Sequence, residues 1–248
     1  MSRAASFLYG IFSYFLFLGA ILYTIGFVGN FRIPQLIEKT IDSGEPGPAG
    51  LSIAVDLILV VIFAAQHSVM ARKGFKHWWT RFVPPAIERS TYVLFADLTL
   101  ILLLWQWRPL PEVIWAVANS AVTRLLTLVQ LGGWGLVFLS SFLINHFDLF
   151  GMQQVYDNLR RRPAERQFFG TPFLYKCVRH PLYLGLLIAF WAAPVMSVGH
   201  LIFALANTAY IFMGILFEER DLVKEFGRTY IDYQARVSMI LPLPPAKE

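Results

Sequence analysis

Long apolar runs separated by short polar stretches recur along the chain from Phe7 to Phe217. A helix that crosses a bilayer takes roughly 20 mostly apolar residues, with about 17 as a lower limit. Six stretches meet that length: Phe7–Val28, Leu51–Met70, Ser90–Trp107, Leu125–Phe147, Leu182–Val198 and His200–Phe217. The last two predict a tight hairpin turning at Ser197-Val198-Gly199-His200. Phe7–Val28 follows Arg3 as a secretory signal would, but its apolar stretch is too long and no small-residue cleavage site follows it, so it is expected to be a retained helix. Beyond the hairpin, Leu222, Phe226, Tyr230, Tyr233 and Val237 fall on roughly one helical face, interrupted by Gly227. The pattern predicts an all-α, polytopic transmembrane helical bundle of about six spans. Its amphipathic C-terminal tail would lie along the membrane surface and cover a site.

Composition agrees with this reading. Of the 248 residues, 56% are hydrophobic and 15% charged, with a mean hydropathy of +0.55, where a soluble domain carries nearer ~25% charge. No internal repeat, low-complexity segment or long linker divides the chain, so residues 1–248 are read as a single integral-membrane domain. The sole cysteine, Cys177, excludes an intrachain disulfide and a multi-cysteine metal site. The net charge of +5 would suit nucleic acid on a soluble protein, but here the positions of the basic residues matter more than their sum. Arg72, Lys73, Lys76, Arg81 and Arg89 lie between spans two and three; Arg160, Arg161, Arg162, Arg166, Lys176 and Arg179 lie between spans four and five. Both segments are expected in the cytoplasm. Gly29–Gly50 and Arg108–Arg124 would then face outward, and an even number of spans places both termini, with the tail from Glu218, inside.

Candidate chemistry gathers at the cytoplasmic end of the hairpin. Pro181 suits the first turn of a helix, and that helix N-terminus, with Arg179 and His180 beside it, attracts an anionic group such as an amino-acid carboxylate. The same residues would also serve as a positive-inside anchor, with Tyr183 as an interfacial aromatic. Glu218 and Glu219 oppose the macrodipole if their helix ends there. Either the helix continues, or these acids have cationic or hydroxyl-bearing partners. The hairpin returns them to the membrane face of Arg179 and His180, so that all four can meet around one ligand. His67 and His146 sit near cytoplasmic ends of spans and titrate near neutral pH. They read either as bases or as packed polar residues, and as a bis-histidine pair they lack a third ligand for a metal or a cysteine pair for haem attachment. His77 reads as interfacial among Trp78, Trp79 and Arg81, and His200 as an outer turn residue. Asp56 and Asp97 lie deep within spans and read as structural.

Arg179-His180-Pro181-x-Tyr183-x-Gly185, a hairpin, Glu218-Glu219-x-x-Leu222, Phe226-Gly227-x-x-Tyr230-x-x-Tyr233 and Leu241-Pro242 form an ordered series. It resembles the core of the isoprenylcysteine carboxyl and phospholipid methyltransferases. Gln66-His67-Ser68 within Ala65–Arg72, which NnrU-like membrane proteins share, and Asn145-His146-Phe147-Asp148-Leu149-Phe150-Gly151 narrow the likeness to the methanethiol S-methyltransferases. Ala189-Phe190-Trp191-Ala192 extends the match over most of the chain from span two onward. The pattern departs at Met152-Gln153-Gln154, where a basic residue is expected beside the glutamine.

The resemblance implies methyl transfer from S-adenosylmethionine to methanethiol, giving dimethyl sulfide and S-adenosylhomocysteine, with a donor-binding core at about 145–242. Arg179 would hold the donor's carboxylate, and Glu218 or Glu219 its ribose hydroxyls or amino group. Tyr175, Tyr183 or Trp191 would face the sulfonium, backbone near Val178 the adenine, and Gly185 belongs to the same motif. His67, His146 and His180 are the catalytic candidates. The implied setting is a bacterial inner membrane with the site facing the cytoplasm; the implied partners are a small volatile thiol and the bilayer, not nucleic acid or metal. A second reading keeps the chemistry but changes the acceptor to a lipid, a prenylcysteine carboxylate or another small thiol. A third is a non-enzymatic transport or haem-binding protein. The transporter version would favour repeated halves or broken midplane helices, which the sequence lacks.

Overall fold

The computed structural model describes residues 1–163 and 170–242. Arg166, one of the basic residues behind the expected orientation, lies outside them. The fold is a helical membrane bundle. Ten helices are described: α1 (Arg3–Val28), α2 (Ala49–Ala71), α3 (Lys73–Trp79), α4 (Pro85–Gln106), α5 (Ser120–Ile144), α6 (His146–Leu149), α7 (Met152–Arg160), α8 (Pro181–Trp191), α9 (Val198–Phe226) and α10 (Arg228–Arg236). Two short strands, β1 (Val113–Ala116) and β2 (Val195–Ser197), pair antiparallel.

Local chemistry sets the helix boundaries. The Ser2 hydroxyl accepts the Ala5 N–H at 3.2 Å and caps α1. Pro85 and Pro181 open α4 and α8, where a missing N–H costs nothing. Gly227, at φ +56°, separates α9 from α10 in a conformation that side chains other than glycine rarely adopt.

Among the described residues, α1, α2, α5 and α9 are long and apolar enough to cross a membrane. The 22 residues of α4 reach about 33 Å. The expected fifth span is different. Its helix, α8, has 11 residues, about 16 Å, and stops at Trp191. Pro194 has no N–H for a continuing helix, and the chain after it joins β1, with Val113 opposite Ser197 and Ala116 opposite Val195. The turn therefore precedes Ser197, and His200 is in the first turn of α9 instead of a loop. The fourth span likewise ends early, at Ile144. Asn145 accepts the Asp148 N–H at 3.3 Å and starts the one-turn α6, which removes His146 from the long helix.

The chain forms two compact units, and their boundary falls inside α9. One comprises Met1–Ala116, Asn145–Arg166 and Val195–Phe203. There α4 packs against α1 and α2, and α7 against α1 and α4. Met70, Tyr92 and Val93 form a buried cluster that Phe17, Trp79 and Phe150 cover. Gly151, at φ +83°, opens α7 so close to α4 that a Cβ would lie 2.6 Å from the Ser90 nitrogen. At the other end of α4, Asp56 accepts the Arg108 N–H at 2.8 Å, a structural tie between α2 and the chain leaving α4.

The other unit comprises Val117–Ile144, Gln167–Pro194 and Ala204–Glu248. Here α5 and α8 touch backbone to backbone. A Cβ on Gly185 would lie 2.7 Å from the Gly133 carbonyl oxygen, and one on Gly133 would lie 2.7 Å from that of Gly185. Gln130 donates to the Ala189 carbonyl at 3.1 Å in the same contact. Gly185→Val should therefore lower stability by about 1–3 kcal/mol through overpacking. A thermal melt in detergent checks this, and an unchanged midpoint would mean that the two helices separate freely.

Candidate active site

Pro181 fixes where α8 begins, and so where Arg179 and His180 stand just ahead of it. Because α9 runs on to Phe226, Glu218 and Glu219 lie within a continuous helix and not at its end. They also have cationic and hydroxyl-bearing partners, so both expected ways of relieving the dipole conflict are present. Arg179 Nε donates to Glu219 Oε1 at 2.7 Å, and His180 Nε2 donates to the same oxygen at 3.0 Å. Gln234 of α10 donates to Glu219 Oε2 at 2.9 Å. Glu219 is therefore enclosed by three donors, and its side chain is only 11% exposed. Its neighbour differs. The Glu218 side chain is 45% exposed and accepts the Tyr183 hydroxyl at 3.0 Å, with His180 Nδ1 at 3.9 Å.

Arg179 does more than pair with Glu219. Its Nη1 donates to the carbonyls of Gln234 at 3.1 Å and Val237 at 2.5 Å. The backbone N–H groups of Arg179 and His180 donate to the Ser238 and Met239 carbonyls at 2.8 and 3.1 Å, where Val178 and Ser238 form a parallel bridge. The Val178 N–H is used by the Leu174 carbonyl. The C-terminal segment is thus fastened onto the residues that precede α8. Tyr233 completes the fastening by donating its hydroxyl to the Tyr175 carbonyl at 2.6 Å. Burial, with the negative charge of Glu218 second, pushes the Tyr175 phenol well above its ordinary value. Burial also raises Tyr230, and it takes Tyr233 to about 12. All three are neutral hydrogen-bonding groups at physiological pH.

Arg179, His180, Tyr183, Glu218 and Glu219 therefore converge, with Tyr175 and Val178 joined to them through the tail. Gly185 is one helical turn further on, in the contact with α5. Trp191 is ten residues from Pro181, about 15 Å along α8, and its indole donates to Thr208 at 2.9 Å. Gln234 and the main-chain carbonyl of Val237 are site groups that the sequence did not single out. The Tyr230 and Tyr233 spacing was the signal available for the tail, whereas nothing in the sequence marked Gln234.

His67 and His146 belong to the other unit, and each shares a hydrogen bond with a tyrosine. His67 Nε2 is 2.8 Å from the Tyr92 hydroxyl, with Phe63 stacked on the ring. The Arg89 guanidinium lies 4.8 Å from the centre of the Tyr92 ring, and its Nε donates to the Leu149 carbonyl at 2.7 Å. His146, 2% exposed, has its Nε2 2.9 Å from the Tyr14 hydroxyl and its ring against Phe150. Phe17 stacks on Phe150 at 3.8 Å, and both pack against the cluster that holds Tyr92. The two histidine–tyrosine pairs thus border one aromatic core. Gln154 donates to the Asp148 carbonyl and carboxylate at 3.1 and 3.0 Å, so the glutamine at the departure from the expected motif braces α6.

Over 96% of its length the chain is 54% identical to methanethiol S-methyltransferase 1 of Bradyrhizobium diazoefficiens, of which it covers 82%. The methanethiol S-methyltransferase of Mycobacterium tuberculosis is 50% identical over 98% of both chains. The chain belongs to the methanethiol S-methyltransferase family. Nurim of Bos taurus is a more distant relative, 29% identical over 67% of this chain and 66% of its own. No family model and no solved structure matches. As a member of a methyltransferase family the chain requires a methyl donor and, as an integral membrane protein, a bilayer. Both histidine motifs and the Arg179–Glu219 cluster lie inside the span shared with its methanethiol S-methyltransferase relatives.

Proposed function

We propose that this protein methylates methanethiol with S-adenosylmethionine, releasing dimethyl sulfide and S-adenosylhomocysteine. Near-full-length similarity to proteins named for that reaction supports the acceptor. The single observation that carries the site is the contrast between two adjacent acids: Glu219 closed in by Arg179, His180 and Gln234, and Glu218 half exposed beside Tyr183. A half-exposed carboxylate next to a hydroxyl suits the donor's ribose hydroxyls or its ammonium group. With Nε and Nη1 of Arg179 engaged, the Nη2 edge is the part of the guanidinium left to receive the donor's carboxylate. Glu219 fixes His180 beside Glu218.

The acceptor attacks as a thiolate. A bond forms from its sulfur to the methyl carbon as the bond from that carbon to the sulfonium breaks, and charge cancels in the transition state. Burial in the membrane favours such a step over the separated ions. A base takes the thiol proton; His67, His146 and His180 are the candidate imidazoles, and a tyrosine hydroxyl lies within hydrogen-bond distance of each of the first two. The basic segments after α2 and α7 support a cytoplasmic site and cytoplasmic termini in a bacterial inner membrane.

The test is incubation of the detergent-purified protein with methyl-labelled S-adenosylmethionine and methanethiol, following label in headspace dimethyl sulfide. Labelled product is expected. Donor binding without product would move the acceptor to another thiol or a lipid, and absence of donor binding would remove the proposal.

A further inference from the structure

Between α1 and α4 lies a cavity of about 370 Å³. Small residues open it: Gly19 and Ala20 on α1 face Ile101 and Leu104 on α4. Ala20 and Leu104 are 5% and 3% exposed and close its inner side, while Phe15 and Trp105, at 65% and 68%, stand open on its rims. From Phe15 to Tyr23 the groove runs about 12 Å along α1. Its lining is apolar except at one end. There the Tyr23 hydroxyl donates to the Lys39 carbonyl at 3.1 Å, and the Lys39 ammonium donates to the Trp105 carbonyl at the C-terminus of α4. That carbonyl takes one of three N–H donors of the ammonium.

A bland role accounts for part of this, since a cation near the last carbonyls of a helix complements its dipole. It does not account for the groove. In a membrane-spanning chain a lateral apolar groove opens to acyl chains, and a cation at its end complements an anionic headgroup. We propose that the α1/α4 groove binds one anionic phospholipid, with an acyl chain along Gly19 and Ala20 and its phosphate at Lys39. Burial disfavours the Lys39 charge and the nearby charge of Asp56 favours it; beyond the Trp105 carbonyl the ammonium has two further N–H donors to offer a headgroup phosphate. Gly19 makes the groove testable, since a Cβ there meets nothing within 4 Å and a leucine side chain can occupy the space without displacing the backbone.

The experiment adds phosphatidylglycerol or phosphatidylcholine to the full-length protein in detergent and records the melting midpoint, together with lipid retained in native mass spectra. Phosphatidylglycerol should raise the midpoint by about 5 °C at saturation and remain bound, while phosphatidylcholine does neither. Gly19→Leu should abolish both effects. Lys39→Gln should retain lipid but lose the preference between headgroups. Equal responses of the wild type to the two lipids would overturn the proposal. So would an unchanged phosphatidylglycerol response in Gly19→Leu, or a preserved headgroup preference in Lys39→Gln.

Discussion

Glu219→Ala should destabilise the protein by about 3–5 kcal/mol, because it leaves a buried arginine without its counter-charge. Arg179 and Glu219 are 10% and 11% exposed at 2.7 Å, so water cannot readily replace the lost carboxylate. His180 and Gln234 lose their acceptor at the same time. Glu219→Gln keeps one acceptor oxygen at the same reach and should fall between the alanine variant and wild type. Thermal inactivation followed by size-exclusion chromatography in detergent checks the order. An alanine variant that melts with wild type would mean that Arg179 is held by the Gln234 and Val237 carbonyls alone.

Glu218→Gln should instead leave the fold intact and weaken donor binding by roughly 10–100-fold, the usual loss when a charged hydrogen-bonding partner becomes neutral. The Glu218 side chain is 45% exposed, and the amide oxygen of the variant would still accept the Tyr183 hydroxyl, so stability has little reason to change. The loss should appear in KM for S-adenosylmethionine with kcat nearly preserved, because the contact is made equally in ground and transition states. Equilibrium binding of S-adenosylhomocysteine separates the effects. Unchanged affinity would remove Glu218 from the donor site, and a fall in kcat alone would give it a part in the chemical step.

The meeting of Arg179, His180, Glu218 and Glu219 was legible in sequence because it needs only a basic pair before one helix, an acidic pair near the end of the next, and a reversal between them. The form of the reversal was not. Ala193-Pro194-Val195-Met196-Ser197 continues the apolar run, and hydropathy does not separate a buried helix from a short strand. Pro194 was the local marker that α8 could not continue. The Tyr92–His67 and Tyr14–His146 bonds join residues far apart in the chain, so their pairing awaited tertiary structure. The same holds for Arg179: its charge predicted an anionic partner, whereas its bonds to two main-chain carbonyls depend on where the tail returns.

That return has a consequence for biosynthesis. The carbonyls of Ser238 and Met239 that receive the Arg179 and His180 N–H groups leave the ribosome after every membrane helix has been made. The hydrogen bonds that fasten the tail to the start of α8 are therefore among the last that synthesis makes possible. A chain cut after Arg236 is expected to hold Arg179 and His180 less firmly, and with them the proposed donor site, because the Val237, Ser238 and Met239 carbonyls would be gone.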